Sequence, residues 1–157
     1  MEISLKPVTV HNWYSCTQLE VAEDQKQVFP APVVYWIAES KFVPEFQPMA
    51  IYLGVSIIGF LVYCTIPDHE GNYWIPALMI DGQYQGKGYG KESMKQLIAF
   101  MRESLNWQKI MIGHRAENAV AGHLYESLGF KRVSEELIDG EVVRVLTKNE
   151  IKNNERH

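Results

Sequence analysis

The residues that could do chemistry are concentrated in a glycine-rich segment, Ile80 to Lys91, which leads from an apolar stretch into an amphipathic one. The segment holds four glycines, and without Cβ atoms successive backbone N–H groups can turn toward one ligand. A helix that begins there would add the partial positive charge of its N-terminus, and Lys91 and Lys95 would add cationic charge. The segment predicts an anion-binding loop, with a glycine turn that holds no ligand as the alternative.

The spacing of the glycines decides which anion is expected. A Walker A loop has four residues between its first glycine and Gly-Lys, and Ser or Thr follows the lysine. Here only three residues separate Gly82 from Gly86-Lys87, and Gly88 follows the lysine. A dinucleotide loop, G-x-G-x-x-G, fails because Ser93 stands where its last glycine belongs. The pattern that remains is Gln85-x-x-Gly88-x-Gly90.

The elements that must position this loop follow from the periodicity of apolar residues and from the turn residues between them. The pattern predicts the order β-α-α-β-β-β-α-β-α-β-β and therefore a mixed α/β domain with helices on both faces of its sheet. The predicted elements are strand Glu2–Val10, helices His11–Val21 and Val33–Phe42, strands Ala50–Leu53, Ile57–Thr65 and Asn72–Asp81, a helix through Met94 and Leu105, strand Lys109–Gly113, a helix between Asn118 and Gly129, and strands Arg132–Ile138 and Glu141–Lys148.

Three local signals refine these elements. Pro76 cannot donate a ladder hydrogen bond, so a bulge or a splayed partner strand is expected at the middle of Asn72–Asp81. Asp139-Gly140 predicts a tight hairpin turn, and an exposed strand there is a plausible edge for a homodimer. Residues 1–148 are predicted to form one domain, and residues 149–157 a polar tail.

Composition excludes several classes of protein. The chain has 157 residues, is 46% hydrophobic and carries a net charge of -4, which suits one globular domain and gives no basic stripe for nucleic acid. No apolar run is long enough to cross a membrane and no leader opens the chain, so a cytoplasmic protein is expected. Cys16 and Cys64 are predicted to be reduced core thiols, and no spacing indicates a metal site.

With Gln85-x-x-Gly88-x-Gly90 in this element order, the chain resembles the GNAT superfamily of acetyl-CoA-dependent N-acetyltransferases over nearly its whole length. A second block, on the expected helix, is Asn118-x-x-Ala121-x-x-x-Tyr125-Glu126-x-Leu128-Gly129-Phe130. The resemblance implies a single-domain GNAT fold of class α/β (α+β), whose central mixed sheet is largely antiparallel.

More narrowly, the chain looks like the bacterial spermine/spermidine (diamine) acetyltransferases. The segments that carry this likeness are Ala50-Ile51-Tyr52, Ile58-Gly59-Phe60, Tyr73-Trp74-Ile75, Met79-Ile80-Asp81, Tyr84 to Lys91, and Gly140-Glu141-Val142-Val143. The resemblance implies a small cationic amine as acceptor and acetyl-CoA, without a metal, as co-substrate.

The resemblance also assigns roles to residues. The main chain of Met79 and Ile80 would pair with the pantetheine arm, Asn118 would touch that arm, and Tyr125 would be the general acid that protonates the leaving thiolate. The alternatives are a helix cap for Asn118 and core packing for Tyr125. The coenzyme A diphosphate would be held by the backbone of Gln85, Gly86, Lys87, Gly88, Tyr89, Gly90 and Lys91.

The general base remains open. Many relatives carry an acidic residue on the strand before the loop, but Ala77 stands at that position, which leaves as candidates Glu39, Asp68, His69, Glu70 or a water wire. Glu39 and Glu70 are also the predicted amine-binding residues. Up to Asp81 the chain has nine acidic and three basic residues and twelve of its eighteen aromatic residues, which suits a cationic acceptor.

These observations predict an enzyme that moves acetyl from acetyl-CoA directly to a primary amine, most simply a polyamine such as spermidine or spermine. The same scaffold serves other amines, so an aminoglycoside, a protein N-terminus or another small amine is an alternative acceptor. Because Ala77 replaces the usual acid, a catalytically silent acyl-CoA-binding protein is a further alternative.

Overall fold

The computed structural model describes residues 2–26 and 31–149. The predicted tail therefore lies, beyond Asn149, outside the described residues. Short 3₁₀ turns occur at Glu23–Gln25 and Gly82–Tyr84. The strands and helices are β1 (Ile3–Pro7), α1 (Trp13–Thr17), α2 (Val33–Ser40), β2 (Phe46–Leu53), β3 (Ser56–Cys64), β4 (Tyr73–Ile75), β5 (Ala77–Ile80), α3 (Tyr89–Ser104), β6 (Lys109–Arg115), α4 (Ala119–Ser127), β7 (Lys131–Arg132) and β8 (Glu141–Thr147).

The strands form two four-stranded sheets, in the orders β1-β2-β3-β5 and β4-β6-β8-β7. Within the described chain, β4 and β6 form the parallel pair and the other pairs are antiparallel. The mixed, largely antiparallel arrangement confirms the predicted fold class. The prediction of one strand over Asn72–Asp81 was wrong, because its two halves, β4 and β5, belong to different sheets.

Pro76 is the point at which β4 and β5 separate. Ile75 packs in the core beneath α3 and α4, whereas Ala77 packs in the core beneath α1 and α2. In a regular strand, residues two apart share a face, so the change of face requires an irregularity at Pro76. The predicted distortion is confirmed, and it opens a wedge between β5 and β6.

Helices cover both faces of the strands and bury two apolar clusters. The helix predicted through Met94 and Leu105 is present as α3, which ends at Ser104, and its residues Met94, Leu97, Ile98 and Met101 are all buried. On the opposite face, Cys16 and Val33 pack against residues of β2, β3 and β5. The wedge thus lies between one helical layer above it and another below it.

The first predicted helix is shorter than expected. It was predicted over His11–Val21, but α1 covers only Trp13–Thr17. The reason is a tether, since the Glu20 N–H donates to Asp81 Oδ2 at 3.1 Å and the Gly82 N–H donates to the Glu20 carbonyl at 2.8 Å. The chain leaves the helix in order to reach the glycine-rich loop.

The closing hairpin has the predicted turn but a shorter first strand. Asp139 and Gly140 have φ values of 51° and 82°, the left-handed pair that a type I′ turn requires. The predicted strand Arg132–Ile138 is reduced to β7 and one bridge between Ile138 and Glu141. Arg132 donates to the carbonyls of Ser134 and Glu135, which bends the segment away from the ladder.

Candidate active site

A groove of about 550 Å³ lies between β5, the glycine-rich loop and α4. Nine of the ten predicted cofactor residues line it, as does Tyr125, whereas Lys87 does not. Val21, Asp24 and Gln25 also line the groove, and sequence reasoning missed them. The predicted residues in the lining are Met79, Ile80, Gln85, Gly86, Gly88, Tyr89, Gly90, Lys91, Asn118 and Tyr125.

The glycine-rich loop presents backbone N–H groups that have no partner. Gly86 and Gly88 have φ values of 76° and 84°, a region in which glycine is not strained. Gly88 caps α3 without a side-chain hydrogen bond. In the part of the chain that is described, no acceptor is bonded to any N–H from Gly86 through Lys91. A row of free donors at a helix N-terminus fits an anion.

Gly82 serves packing rather than ligand binding. A Cβ at this position would lie 3.0 Å from the Ala22 nitrogen and 3.1 Å from its Cα. Asp81 holds the same turn, since its Oδ1 accepts from the Gln83 N–H at 3.0 Å. The glycine at position 82 is thus required by the close approach of two backbones and not by an anion.

The side chain of Gln85 connects three segments around the groove. Its Nε2 donates to the Ile80 carbonyl at 2.8 Å and to Gln25 Oε1 at 2.9 Å. The amide therefore ties the loop to the end of β5 and to the 3₁₀ turn at Glu23–Gln25. A residue pair sixty positions apart leaves no signal in a local pattern, which is why Gln25 was missed.

The strand register shows which backbone groups of β5 face the groove. The Asp81 N–H donates to the Ile58 carbonyl, and Met79 is paired with Phe60. Because backbone groups alternate sides along a strand, those of Met79 point to β3 and those of Leu78 and Ile80 point to the wedge. Of the two predicted pairing residues, Ile80 therefore has backbone groups that face the wedge and Met79 does not, and the Ile80 carbonyl is already bonded to Gln85.

Asn118 begins α4 beside the groove. Its Oδ1 accepts from the Ala121 N–H at 3.1 Å, so the predicted helix cap is confirmed. Its Nδ2 has no acceptor among residues 2–26 and 31–149. One side chain can therefore stabilise the helix with its oxygen and still offer two N–H donors to a ligand.

Tyr125 is held on the inner face of α4. It is 5% exposed, and its ring lies 5.9 Å from that of His114 and 6.0 Å from that of Phe130. Burial, and to a lesser extent the negative charge of Glu141, raises the pKa of the Tyr125 phenol above its ordinary value. The phenol is therefore in its protonated form at neutral pH and can serve as a proton donor.

A histidine and an arginine support this part of the site. His114 is buried on β6, where its Nδ1 lies 2.8 Å from the Arg115 carbonyl and its Nε2 lies 3.1 Å from Arg144 Nε. Because Arg144 Nε can only donate, Nε2 accepts and Nδ1 carries the hydrogen. Burial lowers the pKa of His114, and the positive charge of Arg144 lowers it further. The hydrogen bond to the Arg115 carbonyl acts in the opposite direction without reversing the shift. A neutral imidazole thus packs against Tyr125.

The predicted amine-binding residues are not part of this groove. Glu39 is half-buried on α2 and Glu70 is exposed in the turn before β4, and neither lines the groove. His69 is exposed as well. None of these side chains is brought toward Tyr125 by the fold.

Asp68 instead lines a second cavity of about 450 Å³, together with Glu45, Trp74 and Pro76. Its oxygens accept from the Trp74 indole at 2.8 Å and from two backbone N–H groups at 2.9 Å. Partial desolvation raises the pKa of Asp68, but these hydrogen bonds outweigh it and the pKa lies below its usual value. Glu45 was missed because nothing in its neighbourhood in sequence marks it.

The two thiols are free and buried, as predicted. Burial raises the pKa of Cys16 and of Cys64 to about 11, so neither is a thiolate nucleophile at neutral pH. The described residues contain no group of three or more His, Cys, Asp or Glu side chains placed to hold a metal ion. Nor do they contain a helix with the length and apolarity that a membrane span needs.

Comparison with known families identifies the family of this chain. Residues 9–130 match the acetyltransferase (GNAT) family. The chain belongs to this family. It is therefore an N-acetyltransferase that uses acetyl-CoA, as its sequence resemblance implied.

Among characterised proteins, this GNAT chain is 29% identical over 150 residues to the spermine/spermidine N(1)-acetyltransferase of Bacillus subtilis, covering 92% of the chain and 98% of the relative. Two solved structures share the fold. An aminoglycoside acetyltransferase, AAC(6')-Ib, in complex with coenzyme A has a TM-score of 0.80 at 20% identity and covers 98% of this chain and 99% of its own. The spermidine N-acetyltransferase of Vibrio cholerae, in complex with CoA and spermine, has a TM-score of 0.76 at 17% identity and covers 96% and 98%.

The groove fits the co-substrate of a GNAT enzyme. Acetyl-CoA supplies the acetyl group as a thioester and carries a diphosphate. The free N–H groups from Gly86 through Lys91 are the donors that a diphosphate requires. The unpaired edge of β5 at Leu78 offers backbone groups to an amide-containing arm, as an open strand edge does to an added strand.

Proposed function

We propose that this enzyme transfers the acetyl group of acetyl-CoA to a primary amine of a small polyamine such as spermidine or spermine. The relative from Bacillus subtilis, similar over nearly the full length of both chains, supports this acceptor. A polyamine carries several ammonium groups on an alkyl chain. Its site therefore needs one place for the reacting nitrogen and at least one anionic place for a second cation.

The cavity beside Pro76 is the observation that carries this proposal. Glu45, Asp68 and Trp74 all line it, and carboxylates with an indole attract an alkyl ammonium by ion pairing and cation–π contact. Pro76 stands two residues before Leu78 of the groove, about 7 Å along an extended chain. A cation in the cavity would thus lie within one polyamine length of the wedge.

The roles of the site residues follow from their positions. The N–H groups from Gly86 through Lys91 bind the diphosphate, and Asn118 Nδ2 donates to the pantetheine arm. Tyr125 protonates the sulfur as the C–S bond breaks, since its raised pKa keeps the proton available. Leu78 and Ile80 hold the arm along β5.

The test is a panel of amines with the purified protein and acetyl-CoA, with products identified by mass spectrometry. Spermidine and spermine should give higher kcat/KM than kanamycin or a peptide with a free N-terminus. Glu45→Gln should raise KM for spermidine about tenfold while leaving KM for acetyl-CoA unchanged, because one ammonium loses its partner. Glu103→Gln, an exposed carboxylate on α3, is the matched control. Preference for the aminoglycoside or the peptide would overturn the polyamine assignment.

We also infer that the enzyme acts in the cytoplasm as a homodimer joined through the closing hairpin. Val133, Leu137 and Ile138 on this hairpin are exposed apolar residues, which suits contact with a second copy. Light scattering after size exclusion should give twice the monomer mass, and Leu137→Asp should give the monomer. A wild-type monomer at micromolar concentration would refute this part.

A further inference from the structure

The wedge has a definite vertex. The last paired residues of β4 and β6 are Ile75 and Ile112. The next residues, Pro76 and Gly113, are therefore neighbours at the point where the strands separate, with roughly 4.8 Å between the strands. Ile75 and Ile112 both face the core beneath α3 and α4. Gly113, one residue on, faces the opposite side, on which Pro76 lines the acidic cavity.

Gly113 leaves a space that the carboxylate of Glu141 occupies. Glu141 begins β8, diagonally across from Gly113, whose register partner is Val143. A Cβ on Gly113 would lie 3.0 Å from Glu141 Oε2 and 3.7 Å from its Oε1. Many relatives carry an acidic residue at the position of Ala77 on β5. In this chain, Glu141 on β8 places a carboxylate near the vertex instead.

Glu141 and Tyr125 approach the vertex from opposite faces. Tyr125 packs with His114, which follows Gly113 on β6, so the side chain of His114 points to the opposite face from the one that a Cβ on Gly113 would face. The negative charge of Glu141 is still close enough to contribute to the raised pKa of Tyr125. A direct transfer to an ammonium needs a base for the nitrogen and an acid for the sulfur, and a carboxylate and a phenol can fill these two roles.

We propose that Glu141 is the general base of the reaction. Its carboxylate takes one proton from the acceptor ammonium, and the nitrogen lone pair then forms the C–N bond to the acetyl carbon. The C–S bond breaks, and its electron pair stays on sulfur, which takes the proton of Tyr125. The nitrogen loses its second proton to the Tyr125 phenolate through solvent, and Glu141 releases its own to solvent. The products are the amide, the thiol and one proton.

The other candidate bases are placed less well. Both oxygens of Asp68 already accept hydrogen bonds, and its lowered pKa makes it a weaker base. His114 Nε2 is already bonded to Arg144. Glu39 lies on α2 and Glu70 in the turn before β4, and neither contributes to the raised pKa of Tyr125, whereas Glu141 does. The oxygens of Glu141 lie beside Gly113, next to the vertex.

The substitution Glu141→Gln removes the base and keeps the shape of the side chain. With the panel amine that has the highest kcat/KM, this variant should be about 100-fold slower at pH 7 than wild type. Its kcat/KM should then rise about tenfold per pH unit from pH 7 to 9.5, because only the free amine, with a pKa near ~10.4, can react. The kcat/KM of the wild-type enzyme should depend much less on pH over this range. Glu141→Asp should recover part of the rate.

Controls separate this role from a structural one. Glu136→Gln, an exposed carboxylate of the same hairpin segment, should behave as wild type. In Glu141→Gln the Tm and the Kd for coenzyme A should stay within error of wild type, because the backbone of Glu141 makes its bridge with Ile138. Other charged or titratable groups also lie near Glu141, and they are kept unchanged when Glu141→Gln is compared with wild type. These groups are Arg115, His114, Arg144, Arg132 and Tyr125.

The inference rests on acetyl transfer to an amine and not on the choice of a polyamine. A wild-type enzyme that acetylates no amine of the panel would overturn the proposed function and this role together. A wild-type enzyme that works, with Glu141→Gln equally fast at pH 7 or changed only in KM, would overturn the role of Glu141 alone. A Glu141→Gln profile parallel to that of wild type would do the same.

Discussion

Replacing Tyr125 with phenylalanine separates the chemistry of this residue from its packing. The ring is 5% exposed and lies about 6 Å from the rings of His114 and Phe130, contacts that phenylalanine preserves. The stability of the variant should therefore change by less than about 1.5 kcal/mol, the usual range for one hydroxyl group. Loss of the general acid should lower kcat 10²- to 10⁴-fold, which corresponds to roughly 3–5 kcal/mol in the activation barrier.

The assay follows thiol release at saturating acetyl-CoA and amine, with the Kd for coenzyme A measured by calorimetry. Tyr63→Phe is the matched control, because Tyr63 is also buried, packs edge-to-face against Phe100 and lies on β3 outside the groove. We expect Tyr125→Phe to lose turnover and keep its affinity for coenzyme A, and Tyr63→Phe to keep both. A kcat for Tyr125→Phe within threefold of wild type would refute the assignment of the acid.

Substitutions at Gly59, Asn118 and His114, with their controls, test the fold around the groove. Gly59→Ala should lower the free energy of unfolding by about 1–3 kcal/mol in urea, since its Cβ would lie 2.6 Å from a carbonyl oxygen of β5; unchanged stability would contradict the close approach of the strands. Asn118→Ala should cost about 1 kcal/mol, and Asn118→Asp should restore this stability without restoring the affinity for coenzyme A; recovery of both would show that Nδ2 binds nothing. Burial lowers the pKa of His114, so below pH 6.5 the unfolded chain binds more protons and Tm should fall from pH 7 to 5.5. His114→Gln should remove this fall in Tm, and His123→Gln should not. The reverse result would show that His114 is not the residue whose protonation lowers Tm.

Features that depend on neighbours in sequence could be predicted from the sequence. The turn at Asp139-Gly140 needs two residues that tolerate positive φ, and Asn118 caps α4 through a bond to a residue three positions on. Gly129, with a φ of 99°, ends the same helix as its position predicted. Each of these features is decided within one turn of the chain.

Features that depend on strand register could not be predicted. The proline at 76 indicated a distortion, but which sheet each half of the strand joins depends on partners elsewhere in the chain. Gln25 meets Gln85 across sixty residues, and His114 meets Arg144 across thirty. The carboxylate of Glu141 reaches Gly113 in the same way, because the antiparallel pairing of β6 and β8 brings the two together.

The proposed activity depends on binding of the acetyl-CoA diphosphate by the backbone N–H groups from Gly86 through Lys91. The direct measurement is the amide NMR spectrum of the protein titrated with coenzyme A and, separately, with pantetheine, which has no diphosphate. We expect the six amide protons to move downfield and to become protected from exchange with coenzyme A but not with pantetheine. Amides of this loop that stay in place while those of another segment shift would contradict the claim.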